Sequence, residues 1–516
     1  MIKLLGGYTY TAKTKMKKPQ KNYMPFLRQC FLTASVAFNI MGHGCVIGYP
    51  AVLIPSLRRP DSYIHPTASQ ESWIASVIGF AFMPGNLLVM PLMDVIGRKK
   101  CHILSAIPIL VGWFLVLLAN SVQALILARF LQGISMGILG PLGSVIISEM
   151  TDPKYRGAFL TCISLSLTIG VMFTHTIGTL LSWQQTALLC SFLSFTSLNM
   201  IIFTPETPPW LIAKGKYEKS KEVFYWLRGE GPVQEDELQH MITAQKMIRK
   251  SSVAGQKLSF CTKTKRFFRY IGSTFKKPEF YKPMLIMLHV FAMFQFAGIN
   301  VISSYAKDII EQVVGPEAKA VVLMVILDCE RLVCNILAVF VMQKCNRRTV
   351  LFSLGAICVI SYISKATYVV AKQNNWLPFE NQYVPIFLIC MYMFSLTFGL
   401  STIPFAISGE IFPLEYRGLG GGLSALPVSL NFFIAVKSFP VLTGSIGLPL
   451  TYFVYAGIVS YCLVVLWFIL PETKDRTLQE IEDELRGNTV VGDRRESEPL
   501  HGKILLRRYS SQIIVH

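Results

Sequence analysis

Charge is scarce in this chain: 15% of its 516 residues are charged, and no acid falls anywhere between residues 29 and 57. With 52% hydrophobic residues, water cannot be its main solvent, which excludes an ordinary soluble globular protein. Cysteine pairing is absent as well. The 12 cysteines lie mostly inside apolar runs and none forms a CxxC pair, so neither a disulfide framework nor a zinc site is expected. No metal or cofactor is implied. No nucleophile, base and oxyanion-hole set and no phosphate loop can be assembled, which argues against an enzyme. The first apolar run lacks a small-residue cleavage site, so no removable signal peptide is expected.

What the sequence does contain is long apolar runs of about 20 residues, the length a helix needs to cross the hydrocarbon core. Twelve are expected: 29–51, 72–93, 102–120, 123–147, 157–181, 186–204, 283–303, 320–342, 350–371, 384–408, 420–441 and 449–470. Runs such as LVVLWFIL do not alternate, which excludes a barrel and makes the fold an all-α membrane protein.

The formal charge of +19 could suggest nucleic acid, but its placement argues against that partner. About 40 of the 49 Lys and Arg fall in the termini and in alternate loops, the positive-inside bias. Both termini are therefore expected in the cytosol and the lipid bilayer is the expected partner. The basic tail KTKMKKPQK fits a topology signal with attraction to anionic lipid. No N-x-Ser/Thr acceptor appears in the outer loops.

The chain repeats itself. GRKK at 97, Glu149 with Arg156-Gly157, and PET at 205 recur in order as NRRT at 346, Glu410 with Arg417-Gly418, and PET at 471. The offsets 346 − 97, 410 − 149 and 471 − 205 are 249, 261 and 266, a drift that loop lengths absorb. The expected organisation is a cytosolic tail 1–28, a six-helix half 29–204, a cytosolic linker 205–281 with amphipathic helices, a second six-helix half 282–470 and a cytosolic tail 471–516. Twelve helices in two six-helix pseudo-repeats is the major facilitator arrangement, with substrate near the midplane between halves.

ARFLQGISMG, DVIGRKK, the two Glu-x6-Arg-Gly pairs, PETPPWLIAKGKYEKSKEVFYWLRG, FQFAGINVISSYAKDI and PETKDRTLQEIE together resemble the sugar porter family, over nearly the whole chain. VKSFP at 436 and the short tail look most like its insect facilitated trehalose transporter branch. The resemblance implies a plasma-membrane carrier of a small molecule, a hexose or trehalose-like sugar, working by alternating access.

It also implies a bistable cytosolic gate of Arg98, Glu149, Arg156 and Glu206, repeated as Arg347, Arg348, Glu410, Arg417 and Glu472. Arginines that only set topology are the plainer alternative. Met90 and Val95 depart from the family motif in the first half; in the second, Gln343 takes the acid position and Asn346 replaces glycine, so the second cluster is expected to be the weaker.

The substrate residues implied are Gln295, Asn300, Ser164, Tyr305 and Phe405, of which Ser164 and Phe405 replace the family's glutamine and tryptophan. Gln295 and Asn300 are five residues apart, about 140° around a helix, so they need a break or unwinding at Gly298 or must reach different parts of the ligand, with hydrogen bonds to neighbouring helices as the plainer alternative. Gly399 and Pro404 mark a gate hinge in the tenth span.

Proton-linked members place an aspartate opposite the arginine that is Arg129 here, where this chain has Val46; this favours uniport. Asp328, Glu330 and Arg331 complicate it. Asp328 and Arg331, three apart, are expected to pair, with an altered substrate or a proton relay as alternatives. A proton-coupled symporter and a transport-inactive sugar sensor are the competing functions.

Overall fold

The structure is a computed structural model that describes residues 23–253, 272–315, 319–377, 381, 383–413, 416–474, 476 and 478–486, without the side chains of 247–253, 339, 343, 417, 478 and 479. Most of both expected tails and part of the expected linker lie outside the described residues.

The described chain is helical. The first pass is α1 (Met24–Gly48) continued by α2 (Pro50–Leu57), followed by α3 (Ala68–Ile96), α4 (Arg98–Leu117), α5 (Val122–Met150), α6 (Pro153–Gly178) and α7 (Trp183–Phe203). Local chemistry sets several starts. Thr67 with Gln70 and Ser182 with Gln185 form reciprocal capping boxes at α3 and α7, satisfying end N–H groups that lipid could not. Three helices outside the passes follow: α8 (Pro208–Ala213), α9 (Tyr217–Arg228) and α10 (Pro232–Val253). The side of the bundle they occupy is called the linker side below, and the opposite one the far side.

The seventh pass is α11 (Pro278–Phe296) and α12 (Ile299–Val314), the eighth α13 (Ala320–Lys344) and the ninth α14 (Arg347–Gln373). The tenth is α15 (Tyr383–Ser395), a π turn at Leu396–Leu400 and α16 (Ile403–Glu410). A continuous assignment, α17 (Arg417–Ile469), turns at Gly447 (φ 82°) into two passes, and α18 (Leu478–Arg486) follows.

By length and apolar content, 10 helices can cross a membrane. The expected twelve are recovered once Leu419–Ile469 is divided at Gly447 and α13 is added. Helix α13 has the length but carries Asp328, Glu330 and Arg331, each costing about 2.5–3.5 kcal/mol at mid-bilayer unless partnered.

Helices α1–α7 pack among themselves, as do α11–α17, and the two sets meet along α3 with α17, α6 with α13, and α2 with α12. Glycines set the closest crossings within the first set. Gly44 faces Gly170 between α1 and α6, and Gly85 faces Gly137 between α3 and α5, so the backbones come together where a Cβ would strike a carbonyl. Gly170→Leu therefore forces α1 and α6 apart. Loss of about 1–3 kcal/mol or more is expected, read as a lower melting temperature and less monodisperse protein in gel filtration.

Candidate functional site

On the linker side, two charge clusters share one design. Gly97 (φ 96°) precedes α4, and a Cβ there would strike the Glu206 carboxylate. The open space lets Glu206 Oε1 accept the N–H groups of Arg98 (2.9 Å) and Lys99 (3.1 Å), capping the positive end of α4. Arg98 in turn grips Glu149 with Nε at 3.1 Å and Nη2 at 2.9 Å, and its Nη1 reaches the Met93 carbonyl. In the second set, Glu472 accepts the N–H groups of Arg347 (3.0 Å) and Arg348 (3.1 Å) at the start of α14. Arg347 Nη1 reaches the Met342 carbonyl, five residues back as in the first copy.

The copies differ in strength. Arg347 holds Glu410 through one contact, Nη2 at 3.2 Å, and the other Glu410 oxygen takes the Thr473 hydroxyl at 2.6 Å. Arg348 Nη2 donates instead to the Trp467 carbonyl at 2.6 Å. Arg156 has no described ion pair, and its buried Nε has no hydrogen-bond partner; the Arg417 side chain lies outside those described. Among the described residues, these contacts of each cluster stay within its own set of helices.

The seventh pass breaks at Gly298, whose φ of 95° is left-handed. The break turns Gln295 and Asn300 together, and Asn300 Nδ2 donates to Gln295 Oε1 at 2.6 Å, both residues buried. Two tyrosines brace it. Tyr362 and Tyr392 donate to the freed Ala297 carbonyl at 2.8 and 2.7 Å, and would collide with any Cβ at position 298.

The other substrate candidates are scattered. Phe405 on α16 stacks edge-on with Phe291 and Phe294 and stays exposed. Ser164 is exposed on α6, and its hydroxyl is turned to the Thr161 carbonyl. Tyr305 is further out, buried against Phe439, with its hydroxyl on the Val436 carbonyl at 3.4 Å. Gly399 lies in the π turn, where a Cβ would strike Leu354, and Pro404 opens α16. The Ser401 and Thr402 hydroxyls bond back to the Thr397 and Gly399 carbonyls of this break.

The expected Asp328–Arg331 pair is not what the structure contains. Asp328 Oδ2 meets His175 Nδ1 of α6 at 2.6 Å, while Arg331 Nη1 donates to the Ser303 hydroxyl at 2.8 Å and its Nε has no partner. Spacing put Asp328 and Arg331 on one helix face, but the closer neighbour across the α6–α13 contact wins. About two turns further toward the linker side, Asn335 donates to Thr168 at 2.9 Å, a second tie between the sets. Glu330 turns toward Cys390 on α15.

Arg129 is fully buried without an acid: its Nε donates to the Ile74 carbonyl at 3.2 Å and Nη1 to Gln132 at 3.0 Å. Val46, in the place an acid would take, is buried in apolar packing.

One contributor is invisible to motif reading, and another shows in the sequence only as an unusual charge inside an apolar span. His175 is a lone histidine in an apolar run. Lys365, also fully buried, stands 4.7, 3.3 and 4.5 Å from the ring centres of Tyr362, Tyr392 and Tyr452, a cation held by aromatic faces. Its charge within the ninth span marks it in the sequence, but nothing there shows the three rings around it.

On the far side Arg58 bridges the sets, binding Glu71 through Nη2 at 2.7 Å and Asp308 through Nη1 at 3.0 Å. The Glu71 hydrogen bonds, with the Asp308 charge, push the proton affinity of this guanidinium above its ordinary range. Nearby, Lys437 of α17 lies 4.3 Å from the ring centre of Trp73 on α3.

The sugar (and other) transporter family matches residues 29–485. This chain belongs to that family. Facilitated trehalose transporter Tret1 of Apis mellifera ligustica is 23% identical over 475 residues, covering 92% of this chain and 91% of that one. The Tret1 of Polypedilum vanderplanki is 24% identical, with 92% of each chain covered, while the chain spans 57% of the Aedes aegypti Tret1. Among solved structures, the inward-open xylose transporter XylE from E. coli superposes with a TM-score of 0.69 at 16% identity, covering 89% of this chain and 99% of that one. The major facilitator superfamily proton:xylose symporter XylE bound to 6-bromo-6-deoxy-D-glucose gives 0.65 at 16%, covering 90% and 99%. This sugar transporter family member thus has the major facilitator fold and is a multi-pass integral membrane protein.

Because Arg98 grips its acid twice and Arg347 once, Glu149→Gln is expected to cost more stability than Glu410→Gln. About 1–2 kcal/mol against less than ~1 kcal/mol is the expected order, measured as melting-temperature shifts of the two variants in detergent.

Proposed function

We propose that this family member is a facilitative carrier of a hexose or trehalose-like sugar, working in the plasma membrane with both termini in the cytosol. The observation that carries the reading is the amide pair at the Gly298 break. A sugar needs hydrogen-bonding side chains among apolar walls, and a side-chain amide supplies donors and an acceptor at once. Without ligand, Gln295 and Asn300 satisfy each other; a hydroxyl between them would replace that bond with two of its own, so neither amide is left wanting in either state.

Alternating access follows from the division of contacts between two bodies, taken here as residues 29–204 and 282–470. Described ion pairs join them on the far side, through Arg58 with Asp308 and His175 with Asp328. Ser164 and Phe405, nearer the linker side, stay exposed, which supports a closed far side and an opening toward the linker. The basic loops put the linker side in the cytosol. In this reading the Glu149 and Glu410 clusters stiffen the helix ends of each body, and they grip the other body through Arg156 and Arg417 when the cytosolic side shuts. Gly399 and Pro404 let α16 bend as it closes.

Uniport is the reading for energy coupling. Arg129 is held by a carbonyl and an amide, with no described acid against it that could exchange protons with the cavity.

The test is uptake by purified protein in liposomes. Glucose or trehalose is expected to equilibrate without accumulating against a pH gradient, and Asn300→Ala and Gln295→Ala are each expected to slow uptake about tenfold, the equivalent of one lost hydrogen bond of ~1.4 kcal/mol. Accumulation driven by the pH gradient would replace uniport by proton symport; full-rate uptake in both variants would move the sugar site elsewhere.

A further inference from the structure

We infer that His175 and Asp328 form a proton-binding site between the two bodies, which takes up one proton when the far side closes and gives it back when it opens. The inference rests on the alternating-access part of the function proposed above, and it follows from counting hydrogens. His175 Nε2 faces the Ser303 carbonyl at 3.1 Å, and a carbonyl can only accept, so Nε2 must carry a hydrogen. Nδ1 faces Asp328 Oδ2 at 2.6 Å. Between an imidazole nitrogen and a carboxylate oxygen at that distance there must also be a hydrogen, whether it belongs to the ring or to the acid. The pair therefore holds two hydrogens. A neutral imidazole and a carboxylate standing apart in water at neutral pH hold only one between them.

The two residues belong to different bodies, His175 to α6 and Asp328 to α13, so far-side opening separates them and the second hydrogen loses its place. Both are buried when paired. No nearby group can take the place of His175 as a proton carrier, although the Arg331 charge lies close to Asp328. Helix α1 backs the ring with Gly48, where a Cβ would come 3.1 Å from Nε2; its titratable side chains there, Cys45 and Tyr49, are committed to the carbonyls of Gly170 and Trp183. Helix α7 offers Cys190, against Thr174. On α12 the facing group is the Ser303 carbonyl, with Asp308 further out on Arg58. On α13, Arg331 is cationic and bonded to Ser303, and Glu330 turns away toward Cys390.

Arg331 and the Asn335–Thr168 tie stand between the pair and the linker side. The proton therefore enters and leaves from the far side, and a cycle carries none across, which is compatible with uniport. Acidity on the far side favours closure there.

The experiment needs no sugar. Spin labels on unnatural amino acids at positions 61 and 319, far-side sites in the two bodies, report open and closed distances in the full-length chain in lipid nanodiscs. Between pH 8 and 5.5, the closed-to-open ratio of the native chain is expected to rise about tenfold per unit over the range where one proton is linked. His175→Gln and Asp328→Asn should each flatten that slope. Arg58→Gln, which weakens closure without touching the pair, should lower the ratio at every pH and keep the slope. A native ratio that does not move with pH, or an unchanged slope in both variants, overturns the inference. Failure of sugar uptake in liposomes bears only on the proposed substrate and leaves this measurement standing.

Discussion

Hydrocarbon offers no hydrogen bonds, so a polar group within the passes either finds its partner inside the protein or stays unsatisfied at a cost, as Arg331 Nε and Arg129 Nη2 do. This one constraint orders most of the structure. It explains why a break such as Gly298 is braced by two tyrosine hydroxyls on the freed Ala297 carbonyl, and why the π turn at Leu396–Leu400 is followed by Ser401 and Thr402 bonding back into it. It also explains how four buried charges persist in an apolar chain: Arg129 on a carbonyl and an amide, Lys365 on aromatic faces, Asp328 on His175, and Arg331 on Ser303. None of the four uses an opposite charge on its own helix. Partners recruited from other helices fix how those helices pack.

Duplication then sets where the charges that are not in lipid go. Glu206 and Glu472 cap the starts of α4 and α14 with the same geometry, and Arg98 and Arg347 each reach a carbonyl five residues back. The copies have diverged at the acid: a two-point grip on Glu149 against one contact to Glu410 shared with Thr473. The departures at Gln343 and Asn346 fall in the second, looser copy. An asymmetric pair of clusters makes the two bodies unequal at the linker side even though they descend from one plan.

Much of this was legible in the sequence because it is written in period and order. Apolar length gave the passes, including α13 despite its three charges, and the paired landmarks gave the repeat. The break at Gly298 was one of two options the spacing of Gln295 and Asn300 left open, and it is the one the structure contains. What spacing could not supply was partner choice across helices. Asp328 and Arg331 share a helix face, so helical geometry alone pairs them; His175, 153 residues away in the chain, is closer to Asp328 than Arg331 is to any acid. Arg58 with Asp308, 250 residues apart, was equally out of reach. The same limit hid the tyrosine cage of Lys365, whose three rings come from α14, α15 and the last pass.

Pairing between bodies and pairing within them have opposite consequences for a carrier. A contact inside one body survives rocking and only adds stability. A contact between bodies must be made and broken in every cycle, so it has to be weak enough to release. Arg58 with Asp308 meets that condition because it is half-exposed and screened by water and salt. The His175–Asp328 pair is buried, and for an unchanging buried charge pair the cost of parting would be several kcal/mol. A pair whose binding proton can leave avoids that cost, since its parted members are each content in water. Reversibility at the far side thus calls for an ion pair that is exposed or one that can change its protonation, and this chain has one of each.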